Sequence, residues 1–98
     1  MIAELTIFPV GSGTSLSDYV AEVLKVIHNS GLKYELHSMG TNVEGDIEDI
    51  ARVVKMCHQA LFNKGCKRIA TTIKIDDRKD KTYSMEKKVK VVKKKYLT

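Results

Sequence analysis

Tyr34-Glu35-Leu36-His37-Ser38-Met39-Gly40-Thr41-Asn42-Val43-Glu44-Gly45-Asp46-Ile47-Glu48-Asp49-Ile50 is the stretch whose reading decides the fold. It reads as a strand, a tight turn at Gly40, a second short strand and the start of a helix. Successive strand side chains point to opposite faces, so Tyr34 and Leu36 share one face with Thr41 and Val43 as core partners. Glu35, His37 and Met39 take the other face, joined after the turn by Asn42 and Glu44. A slip of one residue across the turn would exchange the two faces. Asp46 and Asp49 follow at a helix start, where unpaired N–H groups and the helix dipole favour carboxylates.

Upstream, residues 2–9 alternate, with Ala3, Leu5 and Ile7 on one side and Ile2, Glu4, Thr6 and Phe8 on the other. Pro9 and Gly11-Ser12-Gly13 end this strand. Ser15 precedes Asp18 by three residues, a capping-box-like start for a helix whose apolar stripe is Leu16, Val20, Val23, Leu24 and Ile27. Gly31 stops it. Downstream, Ile47, Ile50, Val54, Cys57 and Leu61 form a second helical stripe ending at Gly65. Residues 67–76 form the last strand, with Ile69, Thr71, Ile73 and Ile75 on one face. From Thr82 onward Met85, Val89, Val92 and Tyr96 lie on one helical stripe, and Glu86 with Lys90 makes a favourable i,i+4 pair.

The order β-α-β-β-α-β predicts an α+β, ferredoxin-like domain: two helices on one face of a four-stranded antiparallel sheet, plus an extra C-terminal helix. Residues 1–78 form the domain body. Residues 79–98 form a lysine-rich helix packed on the same domain or on a neighbouring subunit. The opposite sheet face, with Ile2, Glu4, Thr6, Phe8, His37, Met39, Asn42, Glu44, Thr72, Lys74 and Asp76, is too apolar for plain surface and too polar for plain core. That composition fits a subunit interface containing a polar pocket.

The formal charge is +5 over 98 residues. Residues 79–98 carry eight lysines against Asp80 and Glu86, a net of +6, whereas residues 1–78 carry a net of −1. The folded body lacks the basic stripe expected of a nucleic-acid surface. No apolar run approaches the roughly 20 residues that span a bilayer, and the N-terminus lacks the basic region of a signal peptide. Cytoplasmic location is the expectation. Cys57 and Cys66 do not make a metal motif, since zinc sites want about four ligands, and Cys57 falls on an apolar helical seam as a core thiol.

Several segments together carry a resemblance. They are Phe8-Pro9-Val10-Gly11, Ser17-Asp18-Tyr19-Val20, Gly31-Leu32-Lys33-Tyr34-Glu35-Leu36, Met39-Gly40-Thr41-Asn42-Val43-Glu44-Gly45 and Ile73-Lys74-Ile75-Asp76-Asp77-Arg78. With these the chain resembles the YkoF-like thiamine-binding family. The Met-Gly-Thr-x-x-Glu-Gly segment is the most specific of them, and the basic tail lies outside the shared pattern. The resemblance implies a ferredoxin-like fold, dimers and tetramers assembled through the sheets, and binding of thiamine or its hydroxymethylpyrimidine part. It implies no catalysis and no cofactor.

Thiamine is a cation with an aminopyrimidine edge, so its site needs a carboxylate, neutral polar groups and a polarisable surface. Glu44 could meet the aminopyrimidine or the thiazolium charge. Asn42, Thr6 and Thr72 could satisfy the ring nitrogens and amine, and Phe8 and Met39 could cover the ring faces. His37 and Asp76 complete the candidate ligand-binding set. Each also has a plainer reading: Glu44 solvated before a helix, His37 bonded across strands, Asp76 in an ion-pair knot with Asp77 and Arg78. His28 and His58 read as helix-surface residues outside the site.

Thr14 and Ser15, at a helix N-terminus, could hold an anion, although capping alone explains them. No serine or cysteine has an activating base in the motif-bearing stretches, which argues against an enzyme. The expected activity is non-catalytic small-molecule binding in a cytoplasmic homo-oligomer. The alternative is a nucleic-acid-binding or regulatory module using the basic tail.

Overall fold

A computed structural model describes residues 1–13, 16–82 and 84–97. The elements run β1 (Ile2–Pro9), α1 (Ser17–Asn29), β2 (Lys33–His37), β3 (Gly40–Glu44), α2 (Ile47–Asn63), β4 (Ile69–Asp76) and α3 (Met85–Tyr96). The sheet is ordered β2-β3-β1-β4 with every pairing antiparallel. This is the ferredoxin-like plan with its additional helix.

Alternation in β1 is realised directly. Ala3, Leu5 and Ile7 are buried against the helices, and Ile2, Glu4, Thr6 and Phe8 look the other way. The helices α1 and α2 cross over the same face, burying Val23 and Ile27 from one and Ile50, Val53, Cys57 and Leu61 from the other. Cys57 is fully buried, with Sγ 3.9 Å from the Val23 carbonyl. Burial pushes its thiol up to about 11, because a thiolate has no solvation there. Cys66 is buried as well, and both thiols are free.

The end of α2 shows why its stop is a glycine. Gly65 has φ +97°, a left-handed conformation costly for other residues. It lets Gly65 N–H reach the Phe62 carbonyl at 3.0 Å and Cys66 N–H reach the Leu61 carbonyl at 3.2 Å, a Schellman closure. At the other end, Asp46 accepts from the Asp49 N–H at 2.8 Å, the expected cap. The start of α1 differs: Leu16 occupies its N-cap and contributes no side-chain hydrogen bond. Ser15, expected as the cap, and Thr14 lie outside the described residues, and so does their expected anion-binding role.

Four expectations are corrected. The hairpin turn is Ser38–Met39 rather than Gly40, since Gly40 already pairs with His37 as the first residue of β3. Ile47 is 47% exposed, and Val53 takes its place in the buried stripe. At 100° per residue, Ile47 lies about 60° round from Ile50 on the side away from Val53. Leu36, expected in the core, is 59% exposed, because it sits on the edge strand β2 beyond the cover of the helices. Ile73 and Ile75 on the opposite edge are also exposed. Glu86 pairs with Lys33 of β2 at 2.7 Å, in place of the expected partner Lys90.

The helix α3 is anchored by its first turn to the open face of its own sheet. Met85 is buried, its N–H donates to the Glu44 carboxylate, and Lys88 pairs with Asp76. The Ser84 hydroxyl caps the helix by accepting from the Lys87 N–H at 3.1 Å. Beyond this turn the stripe of Val89, Val92 and Tyr96 is largely exposed.

Candidate functional site

The sheet register collects the polar groups. Glu4 is paired with Asn42 across β1–β3, and Asn42 with Glu35 across β3–β2. Direct partners share a face, and Glu4 is also paired with Lys74 on β4, so one row runs Lys74, Glu4, Asn42, Glu35 over four strands, with the Cα atoms of the two glutamates about 10 Å apart.

His37 joins this row from the next one. Its Nε2 lies 3.2 Å from Asn42 Oδ1 and 3.4 Å from Glu4 Oε2. The Met39 N–H donates to His37 Nδ1 at 3.3 Å. With Nδ1 accepting, the proton of a neutral ring sits on Nε2 and is aimed at Asn42 and Glu4. The two-residue turn thus sets the tautomer as well as the strand register.

Beside the row is an open-face cleft of about 250 Å³, walled by Ile2 of β1, by Lys74 and Asp76 of β4, and by Met85, Lys88 and Val89 of α3. Its apolar surface comes from Ile2, Met85 and Val89, and its polar floor from Glu4, Asn42 and Glu35. This lies just below the roughly 300 Å³ at which ligand pockets usually begin. No group of three or more metal-ligating side chains occurs among the described residues.

A second cleft, about 290 Å³, lies where β1 outruns the hairpin. The β1–β3 pairing ends at Leu5–Thr41, so Thr6 to Phe8 border a notch between the hairpin tip and α1. Thr6 Oγ1 donates to the Met39 carbonyl at 3.4 Å across it.

The expected site residues therefore fall into two groups. Asn42 and Asp76 line the open-face cleft, with Glu44 close by under Met85. Thr6, Phe8, His37 and Met39 line the notch. Met39 belongs to the turn and is 79% exposed, so it leaves the face that alternation assigned to it. Thr72 pairs with Thr6 on β4, is exposed, and lines neither cleft. His37 connects the groups through Asn42.

Glu44 and Asp76 are engaged with α3. The Lys88 ammonium beside Asp76 holds its carboxyl below the usual range, and Lys33 does the same for Glu86. Around the expected knot of Asp76, Asp77 and Arg78, the Arg78 charge helps to lower Asp76, and Arg78 also reaches Asp80 with two hydrogen bonds of 2.9 and 2.5 Å. His28 bonds the Tyr34 hydroxyl at 2.9 Å. His58 is half-buried between α2 and β4, 2.6 Å from Thr71 Oγ1, rather than on the helix surface.

Sequence reasoning left Glu4 and Glu35 out of the site. Alternation placed both on the open face, but their alignment with Asn42 depends on the β1–β3 register.

The paired carboxyls around α3 make its docking acid-sensitive. Both have pKa values lowered from ordinary values of 3.8 and 4.5, so their contribution is complete above that range. It is lost as pH falls through the lowered values. Measured against the intrinsic exchange rate at each pH, protection in the first turn of α3 is expected to fall as pH drops below 4.5 while that of α2 holds. Unchanged protection in α3 at the lower pH would contradict the anchoring role of these pairs.

A ferredoxin-like sheet with its two helices on one face, and a polar row and a cleft on the other, defines an α+β domain of the split βαβ class. The sequence matches the family described as thiamine-binding protein over residues 3–93, and the chain belongs to that family. The match extends into α3, so most of the basic tail lies inside the shared pattern, contrary to expectation. Among relatives, the UPF0045 protein YqgV of Bacillus subtilis is 43% identical, covering 95% of this chain and 94% of that one. The crystal structure of MJ1052 from Methanocaldococcus jannaschii superposes with a TM-score of 0.85 at 38% identity, over 93% of each chain. A Thermotoga maritima protein provisionally assigned to thiamine biosynthesis or salvage superposes with a TM-score of 0.77 at 25% identity, over 93% of this chain and 96% of that one. No helix among the described residues is long and apolar enough to cross a membrane.

Proposed function

We propose that this protein binds thiamine or its hydroxymethylpyrimidine moiety, without catalysing a reaction, in the open-face cleft. The observation that carries this reading is the Glu4–Asn42–Glu35 row with His37 hydrogen-bonded into it, beside the apolar wall of Ile2, Met85 and Val89. The carboxylates suit a cationic heterocycle, and the amide suits an edge that both donates and accepts. Membership of the thiamine-binding family and the likeness to the Thermotoga maritima protein support the choice of ligand. Two free, buried thiols suit the reducing cytoplasm.

A second copy would close the cleft by laying its own open face over Ile2 and Val89, giving dimers or tetramers. Excluding water would strengthen each polar contact. Calorimetric titration with thiamine and with hydroxymethylpyrimidine is expected to show binding, weakened about tenfold by Glu4→Gln, the order expected for a charge-assisted hydrogen bond. Wild-type affinity in that variant would remove Glu4 from the site. Light scattering is expected to give a multimer, and a monomer at micromolar concentration would overturn the interface half of the proposal.

A further inference from the structure

The open-face cleft does not end at the sheet. Glu35 and Val89, which wall it, also wall a groove running along α3 to Lys90 and Lys93. The two depressions meet at these residues as one channel; at its sheet end Glu4 and Glu35 outnumber Lys74, Lys88 being tied to Asp76. Glu4 and Glu35 flank Asn42 at the sheet end. At the helix end, Glu86 is tied to Lys33 at 2.7 Å, which leaves Lys90 and Lys93 without ion pairs among the described residues.

From this polarity, and resting on the thiamine reading above, we infer that the channel selects a phosphate ester of the aromatic cation, such as thiamine monophosphate, over the unphosphorylated form. The heterocycle lies over the Glu4–Asn42–Glu35 row and the phosphate meets the Lys90 and Lys93 ammonium groups. An unphosphorylated ligand leaves those two lysines unused. A phosphate brings a charge of about −1.5 to −2 and three acceptor oxygens to them.

The test is calorimetry of thiamine and thiamine monophosphate against the wild-type chain and a Lys90→Gln/Lys93→Gln variant. Both lysines are exposed, and an unchanged thermal melt would show that the variant folds. Wild type is expected to bind the monophosphate about tenfold more tightly at low salt, with the preference shrinking as salt screens the exposed lysines. The variant is expected to lose the preference while keeping its affinity for thiamine. Equal affinities in wild type, or a preference that survives in the variant, would overturn this inference and leave the thiamine reading standing. Failure of both ligands to bind the wild type would overturn the two together.

Discussion

Replacing Gly40 with valine is expected to destabilise the domain by about 3 kcal/mol, at the upper end of what overpacking costs. Gly40 has no left-handed backbone to accommodate; its requirement is closeness. A Cβ there would lie 2.8 Å from the Leu5 carbonyl oxygen and 3.2 Å from Thr6 Oγ1. The nearer atom is backbone in the central strand, so relief requires β1 and β3 to separate. In a chain of this size the melting temperature should fall by roughly 15 °C. Because Gly40 follows the Ser38–Met39 turn, the strain would also disturb the Met39 N–H bond to His37 and with it the polar row. A variant melting within a few degrees of wild type would show that the strands are not packed this closely.

Leu61→Ala is expected to cost about 3 kcal/mol, within the range for emptying a buried leucine site. Leu61 is fully buried in the last turns of α2, and its carbonyl accepts the Cys66 N–H that closes the helix. Leu36→Ala is the informative comparison. The alternation of β2 places Leu36 on the core face, yet it is 59% exposed, so its loss should cost under about 1 kcal/mol. Chemical denaturation of both variants checks the pair. Equal losses would mean that the exposed edge of β2 is covered in solution.

These two leucines show what sequence pattern can and cannot say. Parity correctly placed Leu36 on the same side as Val43, but burial also depends on which strand is an edge and where the helices lie. The same limit shaped the site. Asn42 was legible as an outward-facing amide, whereas its alignment between Glu4 and Glu35 required the register of strands about 40 residues apart in the chain. Glu44 was legible as an open-face carboxylate, but its engagement by Met85 required the path of α3. Glu86 was read against Lys90, its neighbour one turn along. The shorter arrangement with Lys33 could be seen only once the helix lay across the sheet.

By itself, the sequence determined the element order, the two faces of each strand, the apolar seams of the helices and the family, because these follow from periods of two and 3.6 residues and from local motifs. The tertiary structure decided which polar groups meet. It aligned Glu4, Asn42 and Glu35 in one row, divided the remaining candidates between a cleft and a notch, and set α3 along the channel. Those outcomes depend on register and docking, which arise from contacts between residues distant in sequence that no local pattern records.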